Sequence, residues 1–165
     1  MILRRLEQAA PGQVVVVSAP AGYGKTLLLV EWARASEHPR TAWVSLHGDH
    51  NDPRLLWGDI ANSLLDLPSI DSDLRLQTSV GLSTLPGNRV VEMLADTVAA
   101  LDVPVRLVLD DVQELAGRDV QRELSRLVQL SPLNLQLVLA SRSDPPVSIP
   151  RLRLEGRLHE LRADA

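Results

Sequence analysis

Cysteine is absent from this 165-residue chain, and so is phenylalanine. The first absence excludes disulfides and thiolate-held metals, and it weakly favours a reducing compartment. The second, with only three tryptophans and one tyrosine, leaves the core to Leu, Val and Ala. It also removes any aromatic platform on which single-stranded bases could stack. Positive charge is not in excess: the formal net charge is −4 and the pI about 5.5. Non-specific DNA affinity comes from cationic neutralisation of phosphates, so direct DNA binding by this domain is not expected. No apolar run approaches the length of a membrane span. The amino-terminal "MILRRLEQAAPG" has basic residues but no apolar stretch with a cleavage site, so it does not read as a secretory signal. The expectation is a single cytoplasmic domain over residues 1–165, long enough to bury roughly 70% of its unfolded surface.

What is present alternates. Val14 to Ser18 is a continuous β-branched run, the mark of a strand buried on both faces. Residues 26 to 36 contain good helix formers and no breaker. "TAWVSL" (41 to 46) reads as a second strand. Asp52 before Pro53 reads as an N-cap with proline at the first helical position, and Leu55, Leu56, Ile60, Leu64 and Leu67 follow at helical spacing. Residues 68 to 88 are rich in Ser, Thr, Pro and Gly and lack a clean period. They predict a mobile connection with room for one short helical turn. Asn88 is placed to cap the next helix, with Val90, Val91, Leu94, Val98 and Leu101 on its apolar face. Then come strand "VRLVLDDV" (105 to 112), a helix marked by Val120, Leu124, Leu127 and Val128, and strand "LQLVLASR" (135 to 142). In "RLRLEGRLHELRADA", Arg151, Arg153, Arg157 and Arg162 alternate with Leu152, Leu154, Leu158 and Leu161. That pattern fits a half-exposed strand pair, with a last strand near 157 to 162. The pattern predicts an α/β fold with a mostly parallel sheet of about five strands and right-handed crossovers.

Ligands in such sheets bind at the carboxyl ends of strands, and three chemically suggestive clusters fall there. "APAGYGKT" (19 to 26) fits the phosphate-loop pattern with alanine at the first glycine position. Gly22 and Gly24 permit backbone angles that let successive N–H groups turn inward around phosphate oxygens. The following helix adds its positive end. The candidate nucleotide contacts are Ala21, Gly22, Tyr23, Gly24, Lys25, Thr26 and Leu27. Lys25 brings a point charge to the β and γ phosphates, and the Thr26 hydroxyl offers a ligand to Mg²⁺. The competing reading is a glycine turn with a surface lysine.

"LVLDDV" (107 to 112) supplies the second cluster. Asp110 is placed to hold Mg²⁺ through a water, and Asp111 to orient or deprotonate the attacking water. For Asp111 the competing role is capping the next helix. The third cluster is "LASRSDPP" (139 to 146). Arg142, always charged and able to bond bidentately, can touch a γ-phosphate and report its hydrolysis. Its competing role is a surface pair with Asp144. His38, His47, His50 and His159 show no metal-ligand spacing and read as solvated loop or edge residues. Trp32, Trp43 and Trp57 read as core or interface packing.

Taken together, "VVVVSAPAGYGKTLLLVEWA", "AWVSL…NDP", "LVLDDV" and "LVLASRSDPP…RLRLEGRLHELRA" resemble the nucleotide-binding domain of the large ATP-binding LuxR-type, maltose-activator-like transcriptional regulators. These belong to the STAND class of signal-transducing P-loop NTPases, and the resemblance implies the α/β three-layer sandwich of P-loop NTPases. The resemblance covers nearly the whole chain and is weakest between residues 66 and 100. It implies a switch held off with ADP and activated by exchange to ATP plus an inducer, with self-association in the full protein and DNA binding by a C-terminal helix-turn-helix domain. By resemblance, Gly22, Gly24, Lys25 and Thr26 are the Walker A residues, Asp110 and Asp111 the Walker B acids, and Arg142 the sensor arginine. The chain departs from many relatives at His47, His50 and Gln113. Since it stops at Ala165, the expectation is a fragment of a larger regulator. Three functions compete: a slowly hydrolysing switch module, a turnover ATPase or kinase, and a scaffold that has lost nucleotide. No acceptor-binding motif supports the second, and the Lys25, Thr26, Asp110 set argues against the third.

Overall fold

The computed structural model describes residues 2–35, 40–68 and 70–163. His38 lies outside them. Five parallel strands form one sheet in the order β2-β3-β4-β1-β5. They are β1 (Val14–Ser18), β2 (Arg40–Ser45), β3 (Val105–Asp110), β4 (Leu135–Ser141) and β5 (Leu158–Arg162). The helices are α1 (Ile2–Glu7), α2 (Lys25–Ala35), α3 (Pro53–Leu65), α4 (Ser72–Thr84), α5 (Gly87–Ala99), α6 (Arg118–Leu130) and α7 (Ile149–Leu154).

Alternation of side chains divides the sheet into two faces. Val14 and Val16 pack with α3, α5, α6 and α7 in the larger core, while Val15 and Val17 pack with Leu6 of α1 and Leu29 and Trp32 of α2. The three central strands are buried on both faces, which is why β1, β3 and β4 are nearly unbroken apolar runs. Each fully buried Val or Leu there contributes about 1.5–3 kcal/mol. The three tryptophans divide as Leu-rich cores require. Trp32 and Trp57 are buried, Trp43 half-buried.

Three expectations give way. Residues 72–84 form a full helix, α4, where a mobile connection was expected. Asp71 caps it by accepting from Leu74 N at 2.8 Å. Its Ser and Thr residues hide the helical period because they satisfy themselves locally: Thr78 donates to Leu74 O and Ser79 to Arg75 O, both at 2.8 Å. Gly81 lets α4 approach α5, since a Cβ there would collide with Met93 Sδ. Second, Asn88 does not cap α5. Pro86 stands at the N-cap and its carbonyl accepts from Val90 N at 3.1 Å, so the helix begins at Gly87.

Third, residues 149–154 are helical, so the Arg/Leu alternation is no strand pair. Pro150 sits in the first turn, where its missing N–H costs nothing, and Ile149 and Leu152 turn inward three residues apart. Only β5, at Leu158–Arg162, is a strand. Among the described residues no helix is long and apolar enough to cross a membrane.

Leu137 lies at the centre of β4 and is fully buried. Leu137→Ala is expected to lose about 2–5 kcal/mol of stability, read as a lowered urea midpoint. A loss below ~1 kcal/mol would contradict the two-faced burial of β4.

Candidate functional site

β4 lies between β1 and β3, with Ser18 opposite Ser141 and Leu109 opposite Leu139. The carboxyl ends of the three strands therefore converge, and bring the three sequence clusters to one edge of the sheet. β1 aims the loop. Gly22 and Gly24 take φ of 82° and 71°, the left-handed angles for which glycine is suited. Leu28 N already bonds Gly24 O at 2.9 Å as α2 begins. Ala21, Gly22, Tyr23 and Leu27 stand exposed around the loop. Lys25 is mostly buried, and its Nζ donates to the loop carbonyls of Ala19 (2.7 Å) and Pro20 (3.2 Å). The lysine therefore sits inside the loop, unlike the surface lysine of the competing reading.

Thr26 and Asp110 are 84 residues apart and touch. Thr26 Oγ1 donates to Asp110 Oδ2 at 2.6 Å, and Asp110 Oδ1 accepts from Asp111 N at 2.9 Å. Asp110 is 2% exposed. A buried carboxylate needs such partners to stay charged. The pair is a set of hard oxygen donors, fitted to Mg²⁺ when substrate phosphates complete the shell. Among the described residues no group of three His, Cys, Asp or Glu could hold a metal by itself.

Asp111 is the one non-glycine residue with positive φ among those described, at 59°. Aspartate tolerates this better than most residues, yet such backbone is a store of strain typical of functional turns. Its Oδ1 accepts from Gln113 Nε2 at 2.9 Å, and its side chain caps no helix. Gln113 in turn accepts, through Oε1, from Ser141 Oγ at 3.2 Å and from Arg142 N at 3.1 Å. Arg142 Nε lies 3.9 Å from Asp111 Oδ1, with both side chains partly in solvent. That pair is weak, about 0–1 kcal/mol, and leaves the guanidinium free to turn. The expected competitor partner, Asp144, pairs with Arg162 instead at 2.8 Å.

Two members of the site were missed in the sequence. Gln113 appeared only as a departure from relatives, and nothing local announces its contact with Ser141, 28 residues on. Asn51 appeared only as part of "NDP". Its Oδ1 accepts from Ala116 N (2.8 Å) and Gly117 N (2.7 Å), and its Nδ2 donates to Gly48 O (2.8 Å) and Glu114 O (2.9 Å). One side chain thus clamps the turn after β2 to the turn after β3. His50 also corrects the expectation of a solvated residue. It is 1% exposed, accepting from His47 N at 3.0 Å through Nδ1 and meeting Asp59 Oδ2 at 2.9 Å through Nε2.

The AAA ATPase domain family matches residues 1–139, most of the chain. The chain belongs to that family. Over 166 aligned residues this AAA ATPase domain is 28% identical to the HTH-type transcriptional regulator MalT of Serratia proteamaculans (strain 568), covering 97% of this chain and 18% of that protein. The chain therefore spans about a fifth of the curated relative's length. In fold it is similar to the ORC1 protein of Aeropyrum pernix, solved in complex with DNA, with TM-score 0.61 and 20% identity over 97% of this chain and 43% of that one. It is also similar to PH0952 of Pyrococcus horikoshii, a signal transduction ATPase with numerous domains (STAND) and a tetratricopeptide repeat sensor. There the TM-score is 0.55 and the identity 18%, over 98% of this chain and 22% of that one. The AAA ATPase family and the similarity to MalT across 97% of the chain both agree with the sequence resemblance.

Asn51→Ala would leave the amides of Ala116 and Gly117 without their acceptor. The expected loss is about 1–2 kcal/mol, measured by urea denaturation. An unchanged midpoint would show that water replaces the clamp.

Proposed function

We propose that the chain is the ATP/ADP-binding switch module of a signal-responsive transcriptional regulator, with slow Mg²⁺-dependent hydrolysis. The observation that carries the reading is the Thr26–Asp110 contact beneath the glycine loop. It joins a phosphate loop and an acidic strand end across the sheet, as an NTP-binding site needs. The loop residues 21–27 would receive the phosphates, and Lys25 would exchange its bonds to Ala19 and Pro20 for bonds to phosphate oxygens. Thr26 and Asp110 would hold Mg²⁺, which would supply positive charge against the phosphates. Asp111, held through Gln113, would orient the attacking water. Arg142 answers to the γ-phosphate, and Gln113 links its backbone to Asp111.

Slow hydrolysis follows from charge. Phosphoryl transfer needs added positive charge on the transition state, often from a partner, and unaided P-loop switches run near ~10⁻⁴ s⁻¹. Arg142 is the cation nearest Asp111 among the described ion pairs, and it is loosely held. The regulator role rests on the name of the MalT relatives and on their greater length. In that reading the further domains of such a regulator close over the nucleotide, the whole protein self-associates when ATP is bound, and the work is cytoplasmic.

The test is titration with ADP and ATP in the presence of Mg²⁺, paired with a turnover assay on the same sample. Saturable binding with turnover far below one per second is expected, with Lys25→Ala weakening affinity at least tenfold. Unchanged affinity in Lys25→Ala would remove the phosphate-loop assignment. Several turnovers per second, abolished by Asp111→Asn, would replace the switch with a turnover ATPase or kinase.

A further inference from the structure

At the edge of the sheet opposite the glycine loop, a cavity of about 290 Å³ opens beneath the amino ends of β1, β3 and β4. Its walls are mostly apolar. Leu6 and Ala9 come from the α1 side, Trp32 from α2, Pro104 from the entry to β3, and Leu133 from the entry to β4. Leu133 is 81% exposed and stands at the mouth. Among the described lining residues Arg106 is the one cation and Glu7, exposed, the one acid.

Among the described residues Arg106 has no counter-ion. It is 3% exposed on β3, its Nε donates to Gln136 Oε1 at 2.8 Å, and its Cζ lies 3.5 Å from the centre of the Trp32 ring. Nη1 is buried without a hydrogen-bond partner. No carboxylate among the described residues is within ion-pair distance, Glu7 included. A buried guanidinium nitrogen left this way is costly, because no partner repays its desolvation. Burial accordingly pushes its pKa down to about 10. Gln136, also lining the cavity, lends its oxygen to Arg106, which leaves its amide Nε2 as a further donor.

Charge, donors and walls together specify a ligand class. One cation and one amide suit a single carboxylate rather than a polyphosphate. The apolar walls suit a hydrocarbon body. At the ~30 Å³ that a water takes in the liquid, the cavity has room for about ten non-hydrogen atoms.

We propose that this cavity binds a small amphipathic monocarboxylate, its head on Arg106 and Gln136 and its apolar body between Trp32, Leu6, Pro104 and Leu133. The site is separate from the glycine loop and does not depend on the nucleotide reading. α2 nonetheless joins the two places, since it begins at Lys25 and reaches the cavity with Trp32.

Octanoate, with ten non-hydrogen atoms, is the probe. The readout is the Trp32 indole N–H signal in a nitrogen-edited proton spectrum of the chain, assigned by comparison with Trp43→Phe and Trp57→Phe. Octanoate is expected to shift Trp32 saturably and leave Trp57 in place. Octanol should bind at least tenfold more weakly, inorganic phosphate should not shift Trp32, and Arg106→Gln should lower octanoate affinity at least tenfold. Equal shifts by octanol would overturn the proposal without recourse to any variant, and so would a non-saturating octanoate shift. A Trp32 response to phosphate alone would replace the amphipathic ligand with a simple anion. Undiminished octanoate binding in a folded Arg106→Gln variant would remove Arg106 from the site.

Discussion

The hydrogen bond from Thr26 Oγ1 to Asp110 Oδ2 joins the start of one helix to the end of a strand two positions away in the sheet. The rest of the structure is arranged so that it can form. β1 must be buried and straight enough to aim the loop. β4 must lie between β1 and β3 in register, so that the three strand ends are level. Asp110 must be dry, so that the hydroxyl and the backbone amide of Asp111 are its partners rather than water. A shift of one residue in β3 would turn Asp110 to the other face of the sheet and dissolve the pair.

Around that contact the structure divides into a fixed and a loose part. Asp110 and Lys25 are buried, each with two hydrogen bonds, and Thr26 is tied to Asp110. Asp111, Gln113 and Arg142 form a lighter chain on the surface side. It contains a left-handed backbone at Asp111, a long ion pair and one glutamine bridge. On the proposed reading this division suits a switch, with the fixed part gripping the phosphates and the loosely held Arg142 free to answer to one of them. Asn51 sets the boundary between the two by tying the turns after β2 and β3 together.

Much of this was legible in the residues. The valines of β1, the glycine loop and the acids after β3 are each local patterns, and strand-end placement predicted their meeting. Arg142 was legible as a strand-end cation. Other features were not. The α4 helix was hidden because its hydroxyls bond their own carbonyls, so composition resembled a loop. α7 was hidden because a six-residue Arg/Leu helix and a strand share their alternation. Gln113, Asn51 and the buried His50 depend on contacts between distant turns. A polar residue gives no sign in sequence of whether such a partner awaits it.

The central claim is that Thr26 and Asp110 work as one unit beneath the phosphates. Its most direct measurement is the Mg²⁺ dependence of ATP and ADP affinity in the wild-type chain and in Asp110→Asn, by calorimetry with and without chelator. The account predicts that Mg²⁺ tightens nucleotide binding in the wild type and that most of this gain disappears in Asp110→Asn while the fold is kept. The same Mg²⁺ gain in both proteins would contradict it.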